Sequence, residues 1–244
     1  MVGVLISARS AKRRMKRRIG IQGFLMVLAI ILSLGFSKFL FPQWRQEALD
    51  EFLDVLGTNI ILLGFLFRIA ARGHKAEVSH RGDSLIKDGL YGLMRNPMYF
   101  GTFFIGLGIV LVLFQWWAFL LFLAVFLLIY APQTNREEDN LFRRFGQEYK
   151  NYCQITPKYI PDLTGWFEKD LRDYLLFKWS WLKKELPSLI TVTAVVIAIE
   201  TWHDRRLFGY KEYTKELGEF LLVIVFFMII PGLFYAGKNR PRKN

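Results

Sequence analysis

Residues 98–130 read "MYFGTFFIGLGIVLVLFQWWAFLLFLAVFLLIY", two apolar runs parted by a single Gln115. The hydrocarbon core of a bilayer, about 30 Å thick, asks for roughly 20 mostly apolar residues per helix. Met98–Phe114 and Trp116–Tyr130 each approach that length, and one residue between them leaves no room for a loop. The stretch predicts a helical hairpin with its turn at one membrane surface. Whatever precedes Met98 and whatever follows Tyr130 must then return to the opposite surface and lie side by side.

Working outward, the same texture recurs. Phe24–Phe41, Phe52–Ala71, Leu186–Trp202 and Leu217–Ala236 are further apolar runs, the third of them short and opened by Pro187. The 53% of hydrophobic residues are thus gathered in blocks, whereas a soluble domain disperses them in short periodic runs. The expected fold class is all-α, a multi-pass transmembrane protein of about six spans. The first run lacks the short apolar core and small-residue cleavage site of a secretory signal, and more spans follow it.

Charge orients the spans. Residues 1–20 hold seven basic residues and no acid, the 68–97 stretch six basics, the hairpin turn none, and 131–186 ten. The short 42–51 loop carries one basic residue against three acids. An excess of Lys and Arg marks the cytoplasmic side. Both termini, the 68–97 loop and the 131–186 stretch are therefore expected there, together with any site they build. The basic start, "RSAKRRMKRR", directly precedes a span, so it is read as an anchor to anionic lipid headgroups rather than as a nucleic-acid arm. Cys153 is the only cysteine, and His74, His80 and His203 show no metal-ligand spacing, so no disulfide or metal is expected.

Five segments follow: a basic N-terminal piece (1–23), a transmembrane scaffold (24–82), a polar-flanked hairpin core (83–162), an interfacial amphipathic helix (163–185), and C-terminal spans with a basic tail (186–244). The interfacial helix rests on Phe167, Leu171, Tyr174 and Leu175 at helical spacing, with Trp166, Trp179 and Trp181 suited to the headgroup layer.

Polar chemistry gathers at the two outer ends of the hairpin. In "DGLYGLMRNPMYFG" (88–101), Gly89 and Gly92 permit tight turns, Pro97 suits a first helical turn and Asn96 can cap it. A helix N-terminus beside Arg95 attracts carboxylate or phosphate. Tyr91 and Tyr99 add flat surface and hydroxyls. After the hairpin, "NREED" brings Arg136, Glu137 and Glu138, carboxylates able to accept hydrogen bonds from ribose or to balance a cation. Equally, these acids can simply begin a solvated helix.

From Asp83 to Pro161 the chain resembles the superfamily of isoprenylcysteine carboxyl methyltransferases and phospholipid methyltransferases. The resemblance is carried by Gly89-Leu90-Tyr91, Arg95-Asn96-Pro97-Met98-Tyr99, Glu137-Glu138, Phe145-Gly146, Tyr149, Tyr152, Pro157 and Ile160-Pro161. It implies S-adenosylmethionine as cofactor, in a cytoplasmic pocket at the ends of the central hairpin. The implied contacts are Ser84, Leu85, Ile86, Tyr91, Arg95, Asn96, Pro97, Met98, Tyr99, Glu137 and Glu138, with Asp83 where some members carry His. Gln133 and Arg136 fall on the acceptor side. Two departures stand out. Asn96 replaces the family's usual His, and Gln133 replaces an Arg of the prenylcysteine enzymes, which argues against a prenylcysteine carboxylate as acceptor. A lipid or lipophilic small molecule entering from the bilayer is expected instead. The Gly-rich loop of soluble methyltransferases is absent from the sequence. Two other readings compete: a sterol-reductase-like enzyme using NADPH, with Arg81 or Arg95 on the 2′-phosphate, and a non-catalytic lipid-binding protein.

Overall fold

The computed structural model describes residues 37–41, 47–79, 83–161 and 178–207. The chain divides into two units, Met1–Trp44 and Arg45–Asn244. Of the first, the helical turn Ser37–Leu40 and Phe41 are described. The rest of the run Phe24–Phe41, the run Leu217–Ala236 and most of the interfacial segment lie outside the described residues.

Within the second unit every described element is helical: α1 (Glu47–Val78), α2 (Pro97–Leu113), α3 (Trp116–Phe145), α4 (Gln147–Ile155) and α5 (Trp179–Leu207), with one extra turn at Leu90–Leu93. Helix α1 contains the run Phe52–Ala71, and α5 contains Leu186–Trp202. The expected hairpin is present as α2 and α3, joined through Phe114 and Gln115. The Phe114 amide closes α2 on the Val110 carbonyl (3.0 Å), and the Ala118 amide opens α3 on that of Gln115 (2.9 Å).

Among the described residues two helices, Glu51–Val78 and Trp116–Phe145, are long and apolar enough to cross a membrane; Pro97–Leu113 and Glu185–Ile199 are shorter apolar helices. Only 11% of the apolar window of α3 is buried, and Leu120, Leu121, Val125, Leu127 and Leu128 face outward. A soluble core helix would hide these side chains. Their exposure fits a lipid environment.

Helices α1 and α2 meet through glycine. A methyl group added at Gly64 would lie 2.6 Å from the Gly101 carbonyl oxygen, and one added at Gly101 would meet the Gly64 carbonyl equally closely. Gly57 and Gly108 form a second reciprocal pair. The two pairs sit seven residues apart on each helix, as two antiparallel helices in a small-residue contact require. Lipid offers apolar side chains no advantage in leaving it, so close backbone approach and dispersion hold such helices together. Between α2 and α3 the contact is aromatic instead: Phe103 stacks on Phe122 at 5.6 Å and meets Phe126 edge-on at 5.2 Å.

Two expectations are corrected here. Helix α3 does not stop where the apolar run ends at Tyr130. It continues through Pro132 to Phe145, so Glu137 and Glu138 lie in the middle of one helix rather than beginning a new one. At the other correction, Trp181 does not face outward: it is 3% exposed, packed against Gly73, with its indole N–H donated to Glu77 at 2.8 Å. One helix runs from Trp179 through residues 185 and 186, and Pro187 sits within its second and third turns. Proline removes one backbone donor there; the Thr191 hydroxyl donates to the Pro187 carbonyl at 2.8 Å.

Candidate functional site

A pocket opens where the outer ends of the hairpin meet. It has about 820 Å³ of space, part of it open to solvent, and is lined from four directions. The end of α1 gives Lys75 and Ser79; the segment 84–99 gives Ser84, Leu85, Ile86, Tyr91 and the run Arg95–Tyr99; α3 gives Glu137, Glu138, Leu141 and Arg144; α4 gives Tyr149 and Tyr152.

Local backbone chemistry builds the first wall. Gly89 has φ of +57°, a conformation side chains disfavour, and it lets the chain turn over the His74 ring into the turn Leu90–Leu93. Gly92 lies within that turn and has no such requirement. Pro97 occupies the first turn of α2 as expected, but Asn96 does not cap it with its side chain. The Asn96 amide nitrogen instead donates to Glu138 Oε1 and to the Lys158 carbonyl, both at 3.2 Å. Gly146, φ +52°, ends α3 and redirects the chain into α4.

The two segments predicted to meet do so. The Tyr99 hydroxyl donates to Glu137 Oε1 at 2.6 Å, and Gln133 Nε2 reaches the same oxygen at 3.4 Å. Glu138, one residue on, is a latch. It takes Lys158 Nζ at 2.9 Å, Arg95 Nη1 at 3.5 Å and the Asn96 amide, and it is mostly buried. A third strand of contacts ties α4 to the first wall: the Tyr152 hydroxyl donates to the Tyr91 carbonyl (2.6 Å), and the Arg95 amide to the Pro157 carbonyl (2.9 Å). Arg95 Nη1 also lies 2.9 Å from Cys153 Sγ.

Electrostatically, burial raises the hydroxyl pKa of Tyr91, Tyr149 and Tyr152, and nearby Glu137 or Glu138 reinforces it for the first two. These phenols stay neutral hydrogen-bonding groups at physiological pH. Burial of Arg95 works against its charge, but Glu138 and Cys153 outweigh it and hold the guanidinium protonated. Two pocket-lining residues carry a buried polar atom without a hydrogen-bond partner, Arg95 Nε and Tyr149 Oη. Such orphaned groups cost free energy unless a ligand or water meets them.

Of the residues singled out in the sequence, Asp83, Gln133 and Arg136 do not line the pocket. Asp83 is exposed and accepts from the Ser79 hydroxyl at 3.3 Å; Arg136 is exposed on α3. Lys75, Ser79, Leu141, Arg144, Tyr149 and Tyr152 line it and were not among the candidate contacts. The helical periodicity of 137–144 was the available signal for Leu141 and Arg144, since residues four and seven positions after Glu137 share its face. Nothing local to Lys75 and Ser79 announces a site. Among the described residues there is no group of His, Cys, Asp or Glu able to hold a metal.

Residues 53–148, from α1 through the start of α4, match the family of phospholipid methyltransferases. That stretch, about two fifths of the chain, is what the chain shares with membrane methyltransferases. It is similar to the Protein-S-isoprenylcysteine O-methyltransferase of Schizosaccharomyces pombe, 34% identical over 77 residues, which cover 32% of this chain and 33% of that protein. It is also similar to the Protein-S-isoprenylcysteine O-methyltransferase of Saccharomyces cerevisiae, 27% identical over 133 residues, 50% of this chain and 56% of that one. The chain thus spans a third of one relative and just over half of the other. No solved structure matches it. The superfamily match includes the hairpin and both walls that face each other across the pocket.

Proposed function

We propose that the protein is an S-adenosylmethionine-dependent membrane methyltransferase acting on a lipid or lipophilic small molecule. The observation that carries this reading is the meeting of Tyr99 and Glu137 across one pocket at the open end of an apolar hairpin. S-adenosylmethionine supplies a methyl group on a cationic sulfur, and transfer forms a bond from the acceptor atom to that carbon as the carbon–sulfur bond breaks. The residues fit such a cofactor. Lys75 and Arg144 offer cations for a carboxylate, and Glu137 keeps its second oxygen for ribose hydroxyls or an ammonium group.

Direct displacement needs alignment more than covalent help. Positioning of the two reactants is worth roughly 7–11 kcal/mol in favourable cases. Here the protein's part is to hold the donor by the hairpin ends, orient it with Tyr91, Tyr99 and Glu137, and keep water out with the turn Leu90–Leu93 and α4. The acceptor reaches the site laterally along the exposed apolar surface of α3. The excess of Lys and Arg in the loops that carry the pocket supports a cytoplasmic site. Gln133, which hydrogen-bonds to Glu137 without lining the pocket, offers no cation to a carboxylate, which supports an acceptor other than a prenylcysteine.

Isothermal titration of the detergent-purified protein with S-adenosylmethionine tests the cofactor assignment; saturable binding is expected, and silence up to millimolar concentration would refute it. NADPH in a parallel thermal shift assay is expected to give no protection, because the Arg95 guanidinium is engaged by Glu138 and Cys153. Transfer of a labelled methyl group into a total lipid extract tests the acceptor class.

A further inference from the structure

A second cluster of charge lies away from the pocket, where α1, α2 and α5 come together. Glu185 of α5 is fully buried, and both its oxygens are taken by arginines of α1: Arg72 Nη1 at 2.5 Å and Arg68 Nη2 at 3.3 Å. Arg68 Nη1 donates to the Thr102 hydroxyl of α2 at 2.9 Å. Two guanidinium groups therefore share one carboxylate. Among the described residues no other acid pairs with either arginine, and α2 contains none at all. The cluster keeps one surplus positive charge.

Its position makes that surplus informative. Arg68 and Arg72 straddle the end of the apolar run of α1 at Ala71, Glu185 begins the apolar part of α5, and Thr102 lies in the second turn of α2. All four lie near the ends of the apolar runs of their helices, which on the membrane reading corresponds to the level of the lipid phosphates. Arg72 is about half exposed and uses Nη1 alone, while Arg68 Nε is buried without a partner. Buried or half-buried charge is stable only when neutralised. A guanidinium with a free planar edge is shaped for phosphate.

We infer that the α1–α5 junction is a binding site for the phosphate of an anionic phospholipid, received by the free edge of Arg72. The site is separate from the cofactor pocket. It rests on the membrane reading of the fold and not on methyl transfer, so loss of one leaves the other standing.

The test uses the full chain in bilayer discs of pure phosphatidylcholine, or of an equal mixture with phosphatidylglycerol, followed by thermal unfolding. Arg72→Gln removes the surplus charge yet leaves Glu185 paired with Arg68, so the variant retains a neutral pair. Phosphatidylglycerol is expected to raise the wild-type midpoint by about 3 °C more than it raises that of Arg72→Gln. Because the basic N-terminus also attracts anionic lipid, this difference between the two proteins is the readout. An equal rise in both overturns the site. Inorganic phosphate added to phosphatidylcholine discs is expected to give no such rise; a rise there assigns the site to soluble phosphate and overturns the lipid. If Arg72→Gln does not fold, native mass spectrometry of the wild type from mixed discs decides. Preferential retention of phosphatidylglycerol supports the site, and equal retention of both lipids refutes it.

Discussion

Glu137 and Glu138 are neighbours in sequence with opposite employment. Successive side chains on a helix point about 100° apart, so of these two pocket-lining acids one meets Tyr99 while the other meets Asn96, Arg95 and Lys158. Their substitutions should separate accordingly. Glu137→Ala is expected to weaken S-adenosylmethionine binding by at least about tenfold, or roughly 1.4 kcal/mol, with little change in melting temperature. Titration against the wild type checks this. Glu138→Ala is expected to destabilise by about 2 kcal/mol, because it leaves a partly buried Arg95 and Lys158 without their acceptor; denaturation in detergent measures it. The pair of acids was legible in the sequence as site material, but their division of labour was not. It depends on Lys158, 20 residues further along, and on which side of α3 the loop after α4 passes. Asn96 taught the same lesson: its place before Pro97 marked it as a cap, and the nearer carboxylate of Glu138 drew its amide away.

At the scale of elements, α1 and α2 adhere because four glycines let their backbones touch. Gly64→Val places two methyl groups against the Gly101 carbonyl and Ile105, and rigid neighbours there cannot move aside. The expected loss is about 1–3 kcal/mol or failure to fold, read as a lowered melting temperature, with Gly146→Ala in open space at the surface as a comparison for backbone strain alone. Helix α5 is secured differently. Glu185→Ala would strand Arg68 and Arg72 without their shared carboxylate, and removal of one partner of a buried ion pair costs about 3–5 kcal/mol. The expected result is a protein that melts early while α1, α2 and α3 keep their helicity by circular dichroism. None of this was read from the apolar runs. Hydropathy reports that a helix exists, and the choice of its neighbour lies in small and buried polar residues that contribute little to a hydropathy sum.

Over the whole molecule, four parts of the chain close on the pocket, and the single cysteine reports on that closure. Cys153 directly follows Tyr152 on α4, and its Sγ lies 2.9 Å from Arg95 Nη1. Cofactor binding is expected to slow its alkylation by a maleimide severalfold, a rate that mass spectrometry follows without interference from other thiols. An unchanged rate at saturating S-adenosylmethionine would mean that α4 does not tighten on the ligand. The sequence by itself determined that the outer ends of a tight apolar hairpin must share one face, since a chain confined by a bilayer has nowhere else to go. It also named polar residues that gather there, among them Asn96, Pro97, Tyr99, Glu137 and Glu138. Tertiary structure alone decided which carboxylate meets Tyr99 and which meets Arg95 and Lys158, that Lys75 and Arg144 line the cavity, and that two arginines converge on Glu185. Those outcomes depend on side-chain direction and on partners distant in sequence, and only packing of the helices against one another brings such partners within hydrogen-bonding distance.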